Sequence, residues 1–260
     1  MPTVNVNGME LYYEVAGEGP PVLLLHGLGS SARDWEYQTP ELGRSYRVIT
    51  MDVRGHGRSS RPPGPYSVAQ FSQDALALLR ALNATPAHIV GLSMGGMIAF
   101  QMAVDNPDAV RSLAIINSGP AMILHGMQKA VLATRFAVVR LFGMKTMGGM
   151  IAKKVFPLPG QAGLRQTMIA RMSENDPRAY LDAVRAIDGW SVEDRIGEIR
   201  CPVLILASDR DYTPVAWKHA YAAKIPGARV AVVKDSRHVA PIDQPEQVNQ
   251  ILLPFLAKQS

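Results

Sequence analysis

Short apolar runs alternate with amphipathic stretches along most of the chain, and this pattern predicts a sheet of mostly parallel strands. Near-continuous apolar runs of about four to eight residues are typical of strands that are covered on both faces. An N-terminal hairpin, with its turn at Asn7-Gly8, precedes them. The predicted strands are residues 4–6, 11–15, 21–25, 46–51, 87–92, 113–117, 203–207 and 228–233.

Helices are predicted between these strands. Ser67 can cap one of them, and Gln70 three residues later completes the pattern of a capping box. Strands that alternate with helices indicate a mostly parallel central sheet flanked by helices. The predicted helices are residues 31–42, 67–82, 97–103, 215–225 and 246–257.

The alternation stops in the middle of the chain. Between residue 121 and about residue 199 we find helical patterns but no strand. We therefore expect a core domain formed by residues 1–120 and 196–260, with a helical cap, residues 121–195, inserted into it. A chain of 260 residues is long enough for one large domain with such an insertion.

Composition narrows the class of protein. The chain is 47% hydrophobic and 19% charged, which is typical of a soluble globular protein. No apolar run reaches the roughly 20 residues that span a bilayer, and the N-terminus lacks the pattern of a signal peptide. Cys201 is the single cysteine, so a disulfide within the chain is excluded. We expect a cytoplasmic location.

Charge adds little to this picture. The net charge of +5 is compatible with nucleic acid or anionic lipid as a partner, but the chain has no repeat and no long run of adjacent Lys and Arg. Metal-ligand spacings such as C-x-x-C and H-E-x-x-H are absent, and so is a phosphate-binding G-x-x-x-x-G-K. We therefore expect no nucleic acid, metal or cofactor.

The strongest chemical signal is a serine between a predicted strand and a predicted helix. Gly91-Leu92-Ser93-Met94-Gly95 has the pattern G-x-S-x-G, in which small neighbours let strand and helix approach and the serine is strained. The hydroxyl then lies at a helix N-terminus, where free N–H groups favour negative charge. The alternative is an ordinary glycine-rich turn, because this short pattern also recurs by chance.

Partners for this serine lie downstream. A serine hydroxyl needs a base, commonly a histidine that a carboxylate orients. His238 follows the last predicted strand, and Asp209 and Asp211 follow strand 203–207. Loops at the carboxyl ends of parallel strands bind ligands, and Leu28 also lies at this edge. The order Ser, Asp, His is that of the nucleophile-elbow fold, and either aspartate can orient the histidine.

Together with His26-Gly27-Leu28-Gly29 and residues 52–59, these motifs resemble the α/β-hydrolase superfamily over essentially the whole chain. The chain looks most like small carboxylesterases and enol-lactone hydrolases that carry a helical cap. The resemblance implies Ser93 as the nucleophile and His238 as the general base and then acid. It also implies an oxyanion hole made by the backbone N–H groups of Leu28 and Met94.

The resemblance favours Asp211 over Asp209 as the residue that orients the histidine. The family often has Gly-x-x-Asp after this strand, and Ser208 stands where that glycine would be. The loop from Asp211 to Pro214 is also one residue shorter than the common pattern. By the same resemblance, His26 is expected to brace the loop that contains Leu28.

The predicted cap is basic and rich in methionine. Residues 121–173 contain eight Lys or Arg, seven Met and no Asp or Glu. We expect a solvated basic outer face over a methionine-packed underside. A second hypothesis is that the basic face attracts anionic substrates or a lipid surface, so membrane contact stays open. Gly143, Gly148 and Gly149 are candidate hinge points.

These observations predict a serine hydrolase that cleaves a small carboxylic ester or lactone through an acyl-enzyme intermediate. The alternatives are a C–C bond hydrolase of ring-cleavage products, a thioesterase and a perhydrolase. Haloalkane dehalogenases and epoxide hydrolases of this fold use an aspartate nucleophile, so a serine at position 93 disfavours them. Outside enzymes, the alternative is a ligand receptor with vestigial catalysis. The sequence does not define the oligomeric state.

Overall fold

A computed structural model describes residues 2–259, and within them eight strands form one sheet. The strand order is β1-β2-β4-β3-β5-β6-β7-β8. The first two strands form the predicted hairpin, and β2 pairs with β4 in the antiparallel sense, whereas the pairs from β4 to β8 are parallel. The strands are β1 (Thr3–Val6), β2 (Met9–Ala16), β3 (Pro21–Leu25), β4 (Arg47–Met51), β5 (Ala87–Leu92), β6 (Val110–Ile116), β7 (Val203–Ser208) and β8 (Arg229–Val233).

Helices cover both faces of this sheet. Successive residues of β3 alternate between the two apolar cores, with Leu23 and Leu25 in one and Val22 and Leu24 in the other. This is why the strand has no polar position, and the mostly parallel sheet flanked by helices is confirmed. The α-helices are α1 (Thr39–Leu42), α2 (Val68–Ala81), α3 (Met94–Asp105), α4 (Met127–Val155), α5 (Ala162–Ser173), α6 (Pro177–Ile187), α7 (Val215–Ala222), α8 (Ala240–Asp243) and α9 (Pro245–Ala257).

Two local predictions were wrong. The single helix expected over residues 31–42 is a 3₁₀ turn, Ala32–Trp35, followed by the short α1. Pro40 lies in the first turn of α1, because proline has no N–H to donate inside a longer helix. The capping box is half formed: Ser67 Oγ accepts from the Gln70 amide at 3.0 Å, but the Gln70 side-chain oxygen has no partner within residues 2–259.

The region between β6 and β7 contains α4, α5 and α6 and no strand among the described residues, apart from a single antiparallel bridge between Ala121 and Ser191. The division into core and cap at residues 121 and 195 stays a prediction. Of the three candidate hinges, Gly143 breaks α4 with a φ of 74°. Gly148 and Gly149 lie within the helical stretch after that break. No helix in residues 2–259 is long and apolar enough to cross a membrane.

A buried ion pair fixes the loop after β4 to α2. Arg54 Nε and Nη2 donate to the two carboxylate oxygens of Asp74 at 2.7 and 2.8 Å. The side chains are 6% and 0% exposed, and Asn7 donates to the same carboxylate. Because neither charge has access to bulk water, each depends on the other for solvation. The pair therefore joins the N-terminal hairpin, the β4 loop and α2.

We expect Asp74→Ala to lower the free energy of unfolding by about 3–5 kcal/mol, because it leaves the Arg54 guanidinium buried without a counter-charge. Glu41→Ala is the control, since it breaks an exposed pair with Arg44 and should cost about 0–1 kcal/mol. Urea denaturation followed by circular dichroism measures both. Equal losses in the two variants would show that burial of the Arg54–Asp74 pair does not matter.

Candidate active site

Ser93 occupies a sharp turn between β5 and α3. Its backbone has a φ of 53° and a ψ of −114°, a conformation that residues other than glycine rarely adopt. A Cβ at Gly91 would collide with the carbonyl oxygen of Gly95, and a Cβ at Gly95 would collide with that of Leu25. Both glycines of the G-x-S-x-G motif are therefore required by the close approach of strand, helix and neighbouring strand.

A chain of hydrogen bonds links Ser93 to a buried carboxylate. Ser93 Oγ lies 2.8 Å from His238 Nε2, and His238 Nδ1 lies 2.9 Å from Asp211 Oδ1. The His238 side chain is 13% exposed and that of Asp211 is inaccessible. With Nδ1 protonated and donating to Asp211, Nε2 is left free to accept the serine proton. The structure thus brings together the three residues that the sequence singled out.

The Asp211 carboxylate stays ionised although it is buried. Burial alone would raise its pKa, but hydrogen bonds from His238, Lys218 and Thr213 together with the His238 charge hold the pKa well below its usual range. The backbone N–H of Tyr212 also donates to Asp211 Oδ1, at 2.8 Å. A carboxylate in this state can orient the imidazole and stabilise an imidazolium.

Asp209 has a different place. Its two carboxylate oxygens accept from the backbone N–H groups of Asp235 and Ser236, each at 3.1 Å. These residues belong to the loop that carries His238, so Asp209 holds the loop rather than the imidazole. The structure therefore sets Asp211, and not Asp209, against the histidine.

A buried asparagine, which the sequence did not single out, also holds the histidine loop. Asn117 Nδ2 lies 3.0 Å from the carbonyl oxygen of Arg237 and 2.9 Å from that of His238. Its Oδ1 accepts from the Ser208 amide at 2.8 Å, which ties the end of β7 to the same point. Asn117 lies directly after β6 with a φ of 46°, and an asparagine at a strand end was the available signal.

Tyr212 is a second residue that sequence reasoning missed. Although the residue is 54% exposed, its hydroxyl lies 2.6 Å from His238 Nε2, and the two rings stack with centroids 4.2 Å apart. Desolvation, and then the Asp211 charge, raise its pKa, so the phenol stays protonated. A neutral imidazole nitrogen accepts one proton at a time. The hydroxyls of Tyr212 and Ser93 therefore compete for Nε2.

Buried hydrogen bonds hold the loop that contains Leu28 in place. Burial raises the pKa of Asp34, whose carboxylate accepts from the Gly27 amide at 3.3 Å and from the Ser30 hydroxyl. His26 bonds to the Gly27 carbonyl at 2.7 Å and accepts from Val53 N at 2.9 Å, in line with the bracing role expected of it. This loop follows β3, next to β5 in the sheet.

The backbone N–H groups of Leu28 and Met94 have no hydrogen-bond acceptor among residues 2–259. Met94 is the first residue of α3, where an amide has no partner within the helix. Both N–H groups therefore have free donor capacity.

Residues of the predicted cap pack directly on the loop of Leu28. Asn175 Nδ2 donates to the Gly29 carbonyl at 2.8 Å. A Cβ at Gly29 would fall 2.9 Å from the ring of Tyr180 and 3.1 Å from Met172. Leu28 itself contacts the apolar cluster that these two side chains form with other cap residues. The predicted cap thus contacts Leu28, one of the two residues whose N–H groups are candidate donors to a negatively charged oxygen.

The predicted methionine underside of the cap is formed in part. Met144, Met147 and Met172 are buried in the cap cluster, whereas Met127 and Met150 are exposed. Some basic side chains of the predicted cap have partners within the protein. Arg171 pairs with Glu36 at 2.8 Å, and Arg165 donates to two backbone carbonyl groups.

Comparison with known proteins places this geometry in context. A family model described as "alpha/beta hydrolase fold" matches residues 20–245. A putative carbamate hydrolase of Caulobacter segnis is 33% identical, with 98% of this chain and 99% of that protein covered. The crystal structure of an enol-lactonase from Burkholderia xenovorans has a TM-score of 0.92 at 26% identity, covering 98% and 100%. A thermophilic esterase from Thermogutta terrifontis has a TM-score of 0.87 at 27% identity, covering 99% and 97%.

The two aspartates can be separated by the reactivity of Ser93 toward a fluorophosphonate probe. We expect Asp211→Asn to slow labelling of Ser93 by about 10⁴-fold, because the imidazole loses its orienting carboxylate. Asp209→Asn keeps an acceptor oxygen for the loop and should slow labelling by less than about tenfold. Mass spectrometry of the labelled protein over time measures both rates. An equal loss in the two variants would remove Asp211 from the role inferred from its contact with His238.

Proposed function

The chain belongs to the alpha/beta hydrolase fold family, and on that premise we propose that it hydrolyses a small carboxylic ester or lactone through an acyl-enzyme intermediate on Ser93. Its relatives and structural neighbours are named hydrolases, esterases and lactonases, so it is an enzyme of the hydrolase type. The observation that carries the finer proposal is the hydrogen-bonded series Ser93–His238–Asp211, with distances of 2.8 and 2.9 Å.

In the first half of the reaction, His238 Nε2 takes the proton of the Ser93 hydroxyl while Oγ attacks the carbonyl carbon of the substrate. Tyr212 has to release Nε2 for this transfer, since its hydroxyl also lies within hydrogen-bond distance of that nitrogen. The tetrahedral intermediate then collapses, and the imidazolium gives its proton to the leaving alkoxide. With a lactone, that alkoxide stays attached to the acyl group as a free hydroxyl.

In the second half, His238 takes a proton from water, and the resulting hydroxide attacks the acyl carbon. The second tetrahedral intermediate expels Ser93 Oγ, which recovers the proton from His238, and the carboxylic acid leaves. Asp211 keeps its charge in both halves and stabilises the imidazolium that forms each time.

The negative oxygen of each intermediate is assigned to the backbone N–H groups of Leu28 and Met94. This assignment is supported by their free donor capacity and by the position of Met94 at the N-terminus of α3, where the helix dipole favours negative charge. Removing one such donor from an enzyme of this kind costs about 10²- to 10³-fold in rate.

The substrate class follows from the relatives and the cap. An enol-lactonase and an esterase share the fold closely, and both act on an acyl group attached to oxygen. The apolar cluster that includes Met172 and Tyr180 packs against Leu28, so one of the proposed oxyanion donors has apolar surroundings. The relative named a putative carbamate hydrolase makes carbamates a second candidate, because the same serine attack on a carbonyl carbon serves both.

The test is hydrolysis of p-nitrophenyl acetate, butyrate, octanoate and laurate, of an aromatic lactone and of a p-nitrophenyl carbamate. We expect turnover of at least one ester or lactone, and a loss of about 10⁶-fold in kcat in Ser93→Ala, the magnitude known for a serine protease nucleophile. Ser112→Ala is the control, because Ser112 is buried and bonds to His88 on the adjacent strand β5 instead of to His238. Its activity should stay close to that of the wild type.

Each other outcome points to a different alternative. Turnover of the carbamate alone would keep the serine mechanism and change the acyl group. Inactivity on all six compounds, followed by cleavage of a thioester or a ring-cleavage diketone, or by peracid formation with hydrogen peroxide, would replace the proposed substrate. Tight retention of a small ligand without turnover would favour a receptor. Full activity in Ser93→Ala would contradict the nucleophile.

A further inference from the structure

A lysine with no accessible surface lies behind the candidate triad. Lys218 is on α7, and its side chain and that of Asp211 are both 0% exposed. The ammonium group lies 2.8 Å from Asp211 Oδ2, 2.8 Å from Thr213 Oγ1 and 2.9 Å from the Thr213 carbonyl oxygen. The mechanism described above does not use this residue.

The contacts of Lys218 favour its charged form. An ammonium group has three donors and no acceptor, and here three acceptors face it. Burial lowers the pKa of Lys218, and the hydrogen bond and the charge of Asp211 oppose that change. A cation and an anion that share a dry site depend on each other, so a neutral lysine here would leave the carboxylate without its counter-charge.

The two oxygens of Asp211 have separate partners. Oδ1 accepts from His238 Nδ1 and from the Tyr212 amide, whereas Oδ2 accepts from Lys218 and from the Thr213 hydroxyl. Lys218 is therefore the one lysine or arginine bonded to the carboxylate among the described residues, and it lies on the oxygen that the histidine does not use. In this arrangement the lysine can fix the carboxylate plane and also reduce the negative charge that the imidazole senses.

We propose that Lys218 is a positioning residue that holds the Asp211 carboxylate aligned, and that its charge makes His238 a weaker base than it would be beside Asp211 alone. This inference rests on the proposed function for its meaning in catalysis. The sign follows from Coulomb's law: Asp211 stabilises the imidazolium, and a nearby positive charge opposes it. Removal of that charge should therefore raise the pKa of His238.

We expect the other titratable groups around Asp211 to keep their protonation states when Lys218 is replaced. The pKa values of Tyr212 and Tyr221 are raised by desolvation of each hydroxyl and then by the Asp211 charge, so both stay neutral. Ser93 faces Nε2, and Lys154 lies over the Tyr212 ring at 4.6 Å. Further charged groups are Arg135, which acts on Tyr212 from the predicted cap, and Asp209 and Asp243, which bind the backbone of the histidine loop.

The experiment is an NMR titration of His238 in the resting enzyme, followed through its Nδ1 proton in the hydrogen bond to Asp211, in wild type and in Lys218→Met. We expect the pKa of His238 to rise by about one pH unit, as a unit charge at this range produces in a partly screened interior. The acidic limb of kcat/KM against pH for the best substrate should move upward by the same amount.

Lys218→Gln separates charge from hydrogen bonding, because glutamine keeps donors for Asp211 but has no charge, and it also guards against failure of the methionine variant to fold. It should show the same rise in the pKa of His238, with a higher plateau kcat than Lys218→Met. Lys224→Met is the matched control, since Lys224 follows α7 closely, pairs with Glu193 at the surface and should leave the titration unchanged.

An unchanged or lower pKa of His238 in folded Lys218→Met and Lys218→Gln would overturn the proposal, whatever the effect on melting temperature or overall rate. The NMR titration does not need turnover. It therefore gives the same answer if esters and lactones prove to be the wrong substrates, and the two proposals can fail separately.

Discussion

The close contact between β5, α3 and β3 at Ser93 is the constraint on which the rest of the site depends. Gly91 and Gly95 have no space for a side chain, because the backbone of a neighbouring element occupies it. The serine between them is held at a positive φ, and its own N–H donates to the Ile116 carbonyl of β6 at 3.0 Å. The strained turn is therefore held by packing and hydrogen bonding at the centre of the parallel sheet, which gives the hydroxyl a defined position relative to its partners.

The partners of Ser93, His238 and Asp211, lie on loops. Buried polar contacts hold these loops in position. Asn117, Ser208 and Asp209 each bind backbone or side-chain groups of the segment from Asp235 to His238. Because such polar groups are costly to bury unpaired, the network favours the arrangement in which each of them has a partner. Asp211 is held in the same way, with partners on both carboxylate oxygens. The imidazole is thus set by two separate buried networks, one under its loop and one under its carboxylate.

Most of the fold could be predicted from sequence, because the signals are local and repeated. A strand covered on both faces has to be apolar throughout, and the eight strands fall within a few residues of the predicted ones in the described part of the chain. The relation to α/β-hydrolases, inferred from Ser93, His238 and the loop of Leu28, is confirmed by the family match. The prediction of one helix over residues 31–42 was wrong because Pro40 starts a new turn there. Tyr212 and Lys218 could not be predicted, since a tyrosine or lysine near a motif is ordinary until packing shows where its polar end lies.

The predicted cap is the part of the chain whose sequence was least informative. Asn175 bonds to the Gly29 carbonyl, and Tyr180 and Met172 leave no space above that glycine, so the loop that offers the Leu28 N–H is held between core and cap. A movement of the cap would therefore shift one proposed oxyanion donor, whereas Met94 would stay in place at the start of α3. Gly143 divides α4 between a largely exposed first half and a second half that packs against α5. The position of the Leu28 N–H thus depends on the contact between the predicted cap and the loop after β3.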